Sequence, residues 1–133
     1  MEPVKVVMRY ADGRIVKGFT SDFAPNKTFF HISPLESAAT DKGIEISVKE
    51  LKAIFFVKDF TGDASYDENK QFSGTQPPGR KVEVTFFDNE VLVGVTLGYD
   101  PSRIGFFLTP ADPQSNNLRV FVVSSAMSKF RYL

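Results

Sequence analysis

Two stretches decide the fold: KVVMRYADGRIVKGFT, residues Lys5–Thr20, and KVEVTFFDNEVLVGVT, residues Lys81–Thr96. In the first, Val6, Met8 and Tyr10 alternate with Lys5, Val7 and Arg9. In the second, Val82, Val84 and Phe86 alternate with Glu83, Thr85 and Phe87. Apolar residues at period two predict strands with one face turned to a core. Asp12-Gly13 then predicts a tight type I′ hairpin, because both central positions of that turn need positive φ, and Asp88-Asn89 is a milder form of the same signal. A second strand follows from about Ile15 to Asp22, and from about Val91 to Gly98. Gly18 and Gly94 sit in the middle of these strands, where a missing side chain lets a strand bend sharply to close a barrel.

The two stretches are copies. Lys5-Val6, Asp12, Gly18, Thr20, Pro25, Phe30 and Pro34 recur at a constant offset of 76 as Lys81-Val82, Asp88, Gly94, Thr96, Pro101, Phe106 and Pro110. No gap is needed between windows 4–57 and 80–133, where chance at average composition gives roughly three identities. The similar pairs carry more weight than the identities. Ile32/Leu108, Ile44/Val120, Ile46/Val122, Leu51/Met127, Ile54/Phe130 and Phe56/Tyr132 keep one apolar frame. An internal repeat of two units is expected, joined by a linker at 58–79. Pro25-Asn26 and Asp100-Pro101-Ser102 are type I turn chemistry, with proline presetting φ. Third strands are expected at Phe29–Ser33 and Gly105–Thr109, and turns at Asp41-Lys42-Gly43 and Ser115-Asn116-Asn117. Fourth strands follow at Ile44–Val48 and Val120–Val123, then short links at Lys49–Lys52 and Ser124–Met127. Fifth strands are expected at Ala53–Val57 and Ser128–Leu133. No stretch has the pattern of a long amphipathic helix. The expected fold is all-β, with two tandem five-stranded small barrels at 4–57 and 80–133.

The frame Val82-x-Val84-x-Phe86-x-Asp88-x-x-Val91-x-x-Gly94 resembles the first hairpin of Sm-like and SH3-like barrels. Over nearly its whole length the chain also resembles a family of uncharacterised bacterial proteins. That likeness is carried by Leu51–Phe60, by Leu97-Gly98-Tyr99-Asp100-Pro101-Ser102-Arg103 and by Gly105–Asn117. Members of such a family occur fused to signalling domains. The resemblance therefore implies a regulatory or adaptor role and no particular activity.

Composition excludes several kinds of chemistry. The 133 residues contain no cysteine, which removes disulfides, thiolate catalysis and thiolate metal sites, and the single His31 removes a multi-histidine centre. Sixteen basic residues balance sixteen acidic ones, a poor basis for a nucleic-acid or anionic-membrane binder. The longest purely apolar runs, Ala53–Val57 and Val120–Val123, are too short to span a bilayer. The N-terminus lacks the basic-then-apolar pattern of a secretory signal, so the cytoplasm is the expected compartment.

The Sm-like resemblance raises RNA binding as the alternative function. RNA-binding Sm proteins carry Asp-x-x-x-Asn between strands two and three and Arg-Gly between strands four and five. Here Asp22-Phe23-Ala24-Pro25-Asn26 matches imperfectly, Gly98–Ser102 does not match, and neither four–five link holds Arg-Gly. Neither repeat window carries the basic stripe that phosphate binding needs. His31 aligns with Phe107 and reads as an outward strand residue. Asp12 and Asp88 read as turn residues, which leaves little for acid/base catalysis. No Walker-type glycine loop and no Arg-x-x-x-Arg arrangement is present. No enzymatic activity, metal, cofactor or small-molecule ligand is expected.

The Phe doublets are the most unusual feature of a chain with fourteen Phe and no Trp. Phe29-Phe30, Phe55-Phe56, Phe86-Phe87 and Phe106-Phe107 all lie on expected strands, where neighbours point to opposite faces. The repeat assigns Phe30, Phe56, Phe86 and Phe106 inward. Phe29, Phe55, Phe87 and Phe107 are then outward, and contiguous outward aromatics mark an interface. They are the candidate interaction surface, to be covered by the other barrel, the linker, a partner protein or a second copy. In the linker, Phe60, Tyr66 and Phe72 are expected to pack across the barrels, and Ser73–Gly79 to be flexible or polyproline-II-like and mobile. The expected function is a non-catalytic protein-interaction or regulatory adaptor module.

Overall fold

The computed structural model describes residues 4–34, 43–60, 78–112 and 114–133. Ten strands run through them: β1 Val4–Tyr10, β2 Ile15–Thr20, β3 Phe29–Pro34, β4 Ile44–Ser47, β5 Leu51–Val57, β6 Arg80–Phe86, β7 Val91–Thr96, β8 Gly105–Pro110, β9 Asn117–Val123 and β10 Met127–Tyr132. Single 3-10 turns at Val48–Glu50 and Ser124–Ala126 link β4 to β5 and β9 to β10. Among the described residues no helix is long and apolar enough to cross a membrane. The strands hydrogen-bond in the order β10-β6-β7-β8-β9-β5-β1-β2-β3-β4, and every adjacent pair is antiparallel.

All-β architecture is therefore as expected, while the sheet connects the two halves directly. Two separate five-stranded units were expected. The ten strands instead form one sheet, because β5 pairs with β9 over Ala53↔Val122, Ile54↔Phe121, Phe55↔Val120 and Phe56↔Arg119. This pairing gives each central strand two apolar faces. Leu51, Ile54 and Phe56 of β5 pack with Phe121 and Val123 of β9 in a first core that also holds Val6, Met8 and Phe30. Ala53, Phe55 and Val57 pack with Val120 and Val122 in a second core with Val82, Val84 and Phe86. Every residue of β5 is buried, the pattern of a strand covered on both sides.

An ionic contact also joins the halves. Lys52 of β5 is buried, its ammonium 2.6 Å from Asp88 Oδ2 and bonded to Glu90 Oε1, and it lies 4.7 Å from the Phe86 ring centre. Arg9 adds a longer contact to Glu90 at 3.7 Å. The Lys52 ammonium, then the Glu90 N–H, holds the Asp88 carboxyl below its ordinary value.

Both early hairpins differ from the expected turn. The Tyr10 N–H donates to Arg14 O at 2.8 Å and the Gly13 N–H to Tyr10 O at 3.1 Å, which closes a three-residue loop. Only Gly13 has positive φ there, and only Asn89 in the second hairpin, so each is a type I turn followed by one left-handed residue. Asp12 and Asp88 favour that loop because each carboxylate accepts the N–H two residues on, from Arg14 and Glu90 at 3.0 Å. Of the expected linker, Phe60 packs edge-on to Phe19 with ring centres 5.3 Å apart, and its carbonyl accepts Lys17 Nζ. Tyr66 and Phe72 lie outside the described residues, as do Asp41 and Lys42 of the expected turn.

The mid-strand glycines sit where β2 meets β3 and β7 meets β8, at Gly18↔Pro34 and Gly94↔Pro110. A Cβ on Gly18 would stand 2.6 Å from Ser33 O, and one on Gly94 2.1 Å from Thr109 O. Both obstacles are backbone atoms of a paired strand and cannot rotate away. Gly94→Ala is therefore expected to lower stability by more than the ~1 kcal/mol scale of glycine propensity effects. A denaturant titration with an unchanged midpoint would remove the close-approach argument. A second expectation concerns acid. Asp88 holds its proton less tightly in the folded chain, so the stability it adds is complete above the ordinary value of 3.8 and fades as pH falls through the lowered one. Lys52→Met keeps an apolar stem against Phe86 and removes the cation. Its unfolding midpoint should depend less on pH below about 4 than that of the parent chain, as followed by circular dichroism.

Candidate interaction surface

The four Phe residues assigned outward fall into two classes. Phe55 is only 6% exposed and belongs to the second core, with the Arg9 guanidinium 5.3 Å from its ring centre. Phe107 is half-buried against the first core, beside Phe56, Phe23 and Phe121. Each therefore faces away from its own half and is covered by the other. Phe55 offers no free surface, because β5 lies between two cores, while Phe107 of β8 keeps part of its ring open. Phe29 and Phe87 are exposed, at 49% and 71%. Phe30, Phe56, Phe86 and Phe106 are buried, as the alternation requires.

A more concave feature lies where the second half meets the first. A groove of about 720 Å³ is lined by the end of β7, the Leu97–Arg103 connection, β8, Arg119 of β9 and Pro25 of the opposite half. Its wall is fixed by local chemistry. Asp100 Oδ1 accepts the Ser102 N–H at 2.9 Å and the Ser102 hydroxyl at 2.7 Å, and the Arg103 N–H donates to Asp100 O at 3.0 Å. The two Ser102 bonds, first that of the hydroxyl, hold the Asp100 carboxyl below its ordinary value. Tyr99 stacks on Phe130 at 4.1 Å and meets the edge of Phe106 at 5.1 Å. Thr96 Oγ1 donates to Phe107 O at 2.8 Å and pins the adjoining strand. Leu97 stands 85% exposed at the rim. The Arg119 guanidinium lies 4.2 Å from the Phe107 ring centre and 4.6 Å from that of Phe56.

His31 is exposed on β3, as expected, yet it is tied into a polar cluster. Its Nδ1 is 2.8 Å from Asp22 Oδ2, and its Nε2 is 3.9 Å from Glu45 Oε2. Asp22 Oδ1 also accepts the His31 N–H at 2.9 Å and the Thr20 hydroxyl at 3.2 Å. Burial raises the Asp22 carboxyl, and the bonds from His31 and Thr20 outweigh it, so the carboxyl sits below its ordinary value. Asp22 is thus held by His31 of β3 and Thr20 of β2. A small recess of about 270 Å³ beside the cluster is lined by Thr20, Ser21, Asp22, His31 and Gly43 among others.

Sequence reasoning did not mark Arg119, Leu97 or Pro25 as site residues. Two signals were present. Arg119 is a charge abutting the uninterrupted apolar run Val120–Val123, and Leu97 opens a stretch that carries the family likeness. The chain matches a family of unknown function, DUF6982, over residues 2–133. No curated protein and no solved structure matches it.

Proposed function

The chain belongs to this family of unknown function, and on that premise we propose that it is a non-catalytic protein-interaction module, of a regulatory or adaptor kind, acting in the bacterial cytoplasm. The observation that carries the reading is the groove of about 720 Å³, whose exposed Leu97 and aromatic Tyr99 and Phe107 offer apolar area beside fixed polar groups. That combination is the usual make-up of a binding cleft. Pro25 reaches the groove from the other half, so the site depends on both halves being joined.

The same proposal holds that the chain is a tandem repeat of two curled, Sm-like five-stranded units. The pairings Val6↔Gly18, Gly18↔Pro34 and Phe30↔Ile46 recur 76 residues on as Val82↔Gly94, Gly94↔Pro110 and Phe106↔Val122, which supports it. So does the Thr20 hydroxyl bonded to His31 O, matched by Thr96 to Phe107 O. The RNA-binding alternative draws no comparable support, since Asp22 is engaged with His31 and Thr20.

A phage-displayed random dodecapeptide library selected on the immobilised full chain tests the interaction reading. Peptides that bind the parent chain should lose binding to Leu97→Asp. The melting temperature of that variant should stay within a degree or two, because Leu97 is 85% exposed and little packing is lost. Equal binding to both chains would reject the groove. A salt-sensitive shift of single-stranded RNA in a gel would favour the alternative.

A further inference from the structure

The groove and the small recess beside His31 occupy corresponding places in the two halves. At the 76-residue offset, Thr20 answers to Thr96, Ser21 to Leu97, Asp22 to Gly98, His31 to Phe107 and Gly43 to Arg119, and all ten residues line one cavity or the other. The chemistry is reversed between them. The first-half recess holds a carboxylate already bonded to a histidine. The second-half groove has a glycine in place of the carboxylate, a ring in place of the histidine, and a guanidinium where the first half has no side chain.

That guanidinium has no carboxylate partner among the described residues. Arg9, Arg14, Arg103 and Arg131 each lie within 4 Å of a carboxylate. Arg119 pairs with none among the described residues and rests on the faces of Phe56 and Phe107. Arg119 is exposed along one side, and the rings beneath it take away part of its water, which lowers its pKa. Stacking on two rings fixes the guanidinium plane and leaves its N–H edge for an acceptor. Asp100, the acid on the groove wall, is already engaged by Ser102 and faces Arg103 at 3.8 Å. The groove therefore combines apolar walls with an excess of one positive charge.

We propose that this groove binds a polypeptide segment of a partner protein through an Asp or Glu carboxylate held by Arg119, with an adjacent aromatic or branched apolar side chain lying against Tyr99 and Leu97. The proposal rests on the interaction reading above and adds the chemistry of the partner.

The dodecapeptides recovered on the full chain supply the probes. Their sequences should share an acidic position next to an aromatic or branched apolar one. Each is remade with the acid changed to its amide. The acidic form should bind the parent chain about 10- to 100-fold more tightly than the amide, the range for a charge-assisted hydrogen bond. In Arg119→Met, which retains a stem against the rings, the difference between acid and amide should vanish while the amide form binds as before. Equal binding of acid and amide to the parent, or a preference that survives in Arg119→Met, overturns the carboxylate assignment. The interaction reading stands in that case if Leu97→Asp still abolishes binding, and falls if it does not. A melt of Arg119→Met far below the parent would assign the residue a structural role. Arg119→Lys, which keeps the charge and loses the planar fork, then decides, because retained acid preference supports the proposal and lost preference in a folded chain overturns it.

Discussion

The antiparallel pair of β5 and β9 is the constraint from which the remaining features follow. It brings a strand from each half into one ladder and buries both faces of each. Phe55 and Phe121 show the consequence. Each belongs by sequence to one half and by packing to the core of the other. Full burial of a Phe side chain contributes about 1.5–3 kcal/mol, so two such exchanges represent a sizeable share of the stability of a small domain. Neither half has a complete core of its own. Removing the second half would expose Ala53, Phe55 and Val57 to water, and removing the first would expose Phe121 and Val123.

The same pair explains why a charge is buried next to it. Lys52 leaves β5 on the side of the second half, where Asp88 and Glu90 of the β6–β7 hairpin receive it. The hairpin owes its shape to Asp88, whose other oxygen caps the turn. One carboxylate thus shapes a local turn and takes part in the contact between halves. A lysine buried without such partners would be costly.

The outer strands of the sheet are β4 and β10, and their chemistry differs from that of the joined strands. At the 76-residue offset Ala53 and Phe55 correspond to Lys129 and Arg131, and Phe121 to Glu45. Charge stands at the two edges where the junction has apolar side chains. Charged residues on open edges hinder further strand pairing. The groove, away from both edges, is where apolar walls and the stacked Arg119 lie together.

Local pattern determined the strands. Alternation in Lys5–Tyr10 and Lys81–Phe86, the turn residues Asp12 and Asp88, and the glycines at 18 and 94 specify β-structure through contacts a few residues long, and each is found in place. Parity also identified Phe30, Phe56, Phe86 and Phe106 as inward. It could not say what lies outside a strand. Phe55 and Phe29 have the same parity relative to their neighbours, yet one is buried and the other exposed, because β5 meets β9 and β3 does not. The apolar runs Ala53–Val57 and Val120–Val123 read locally only as too short to span a bilayer, and their cover on both faces comes from the β5–β9 pairing. The place of Arg119 was equally beyond local reading, since its rings come from β5 and β8, 63 and 12 residues away in sequence. Sequence alone determined which residues form strands and which face is apolar, because backbone geometry and solvent act on neighbours. Only the tertiary structure decided which apolar faces are consumed and which guanidinium comes to rest on two rings in the groove, because both depend on pairing between distant strands.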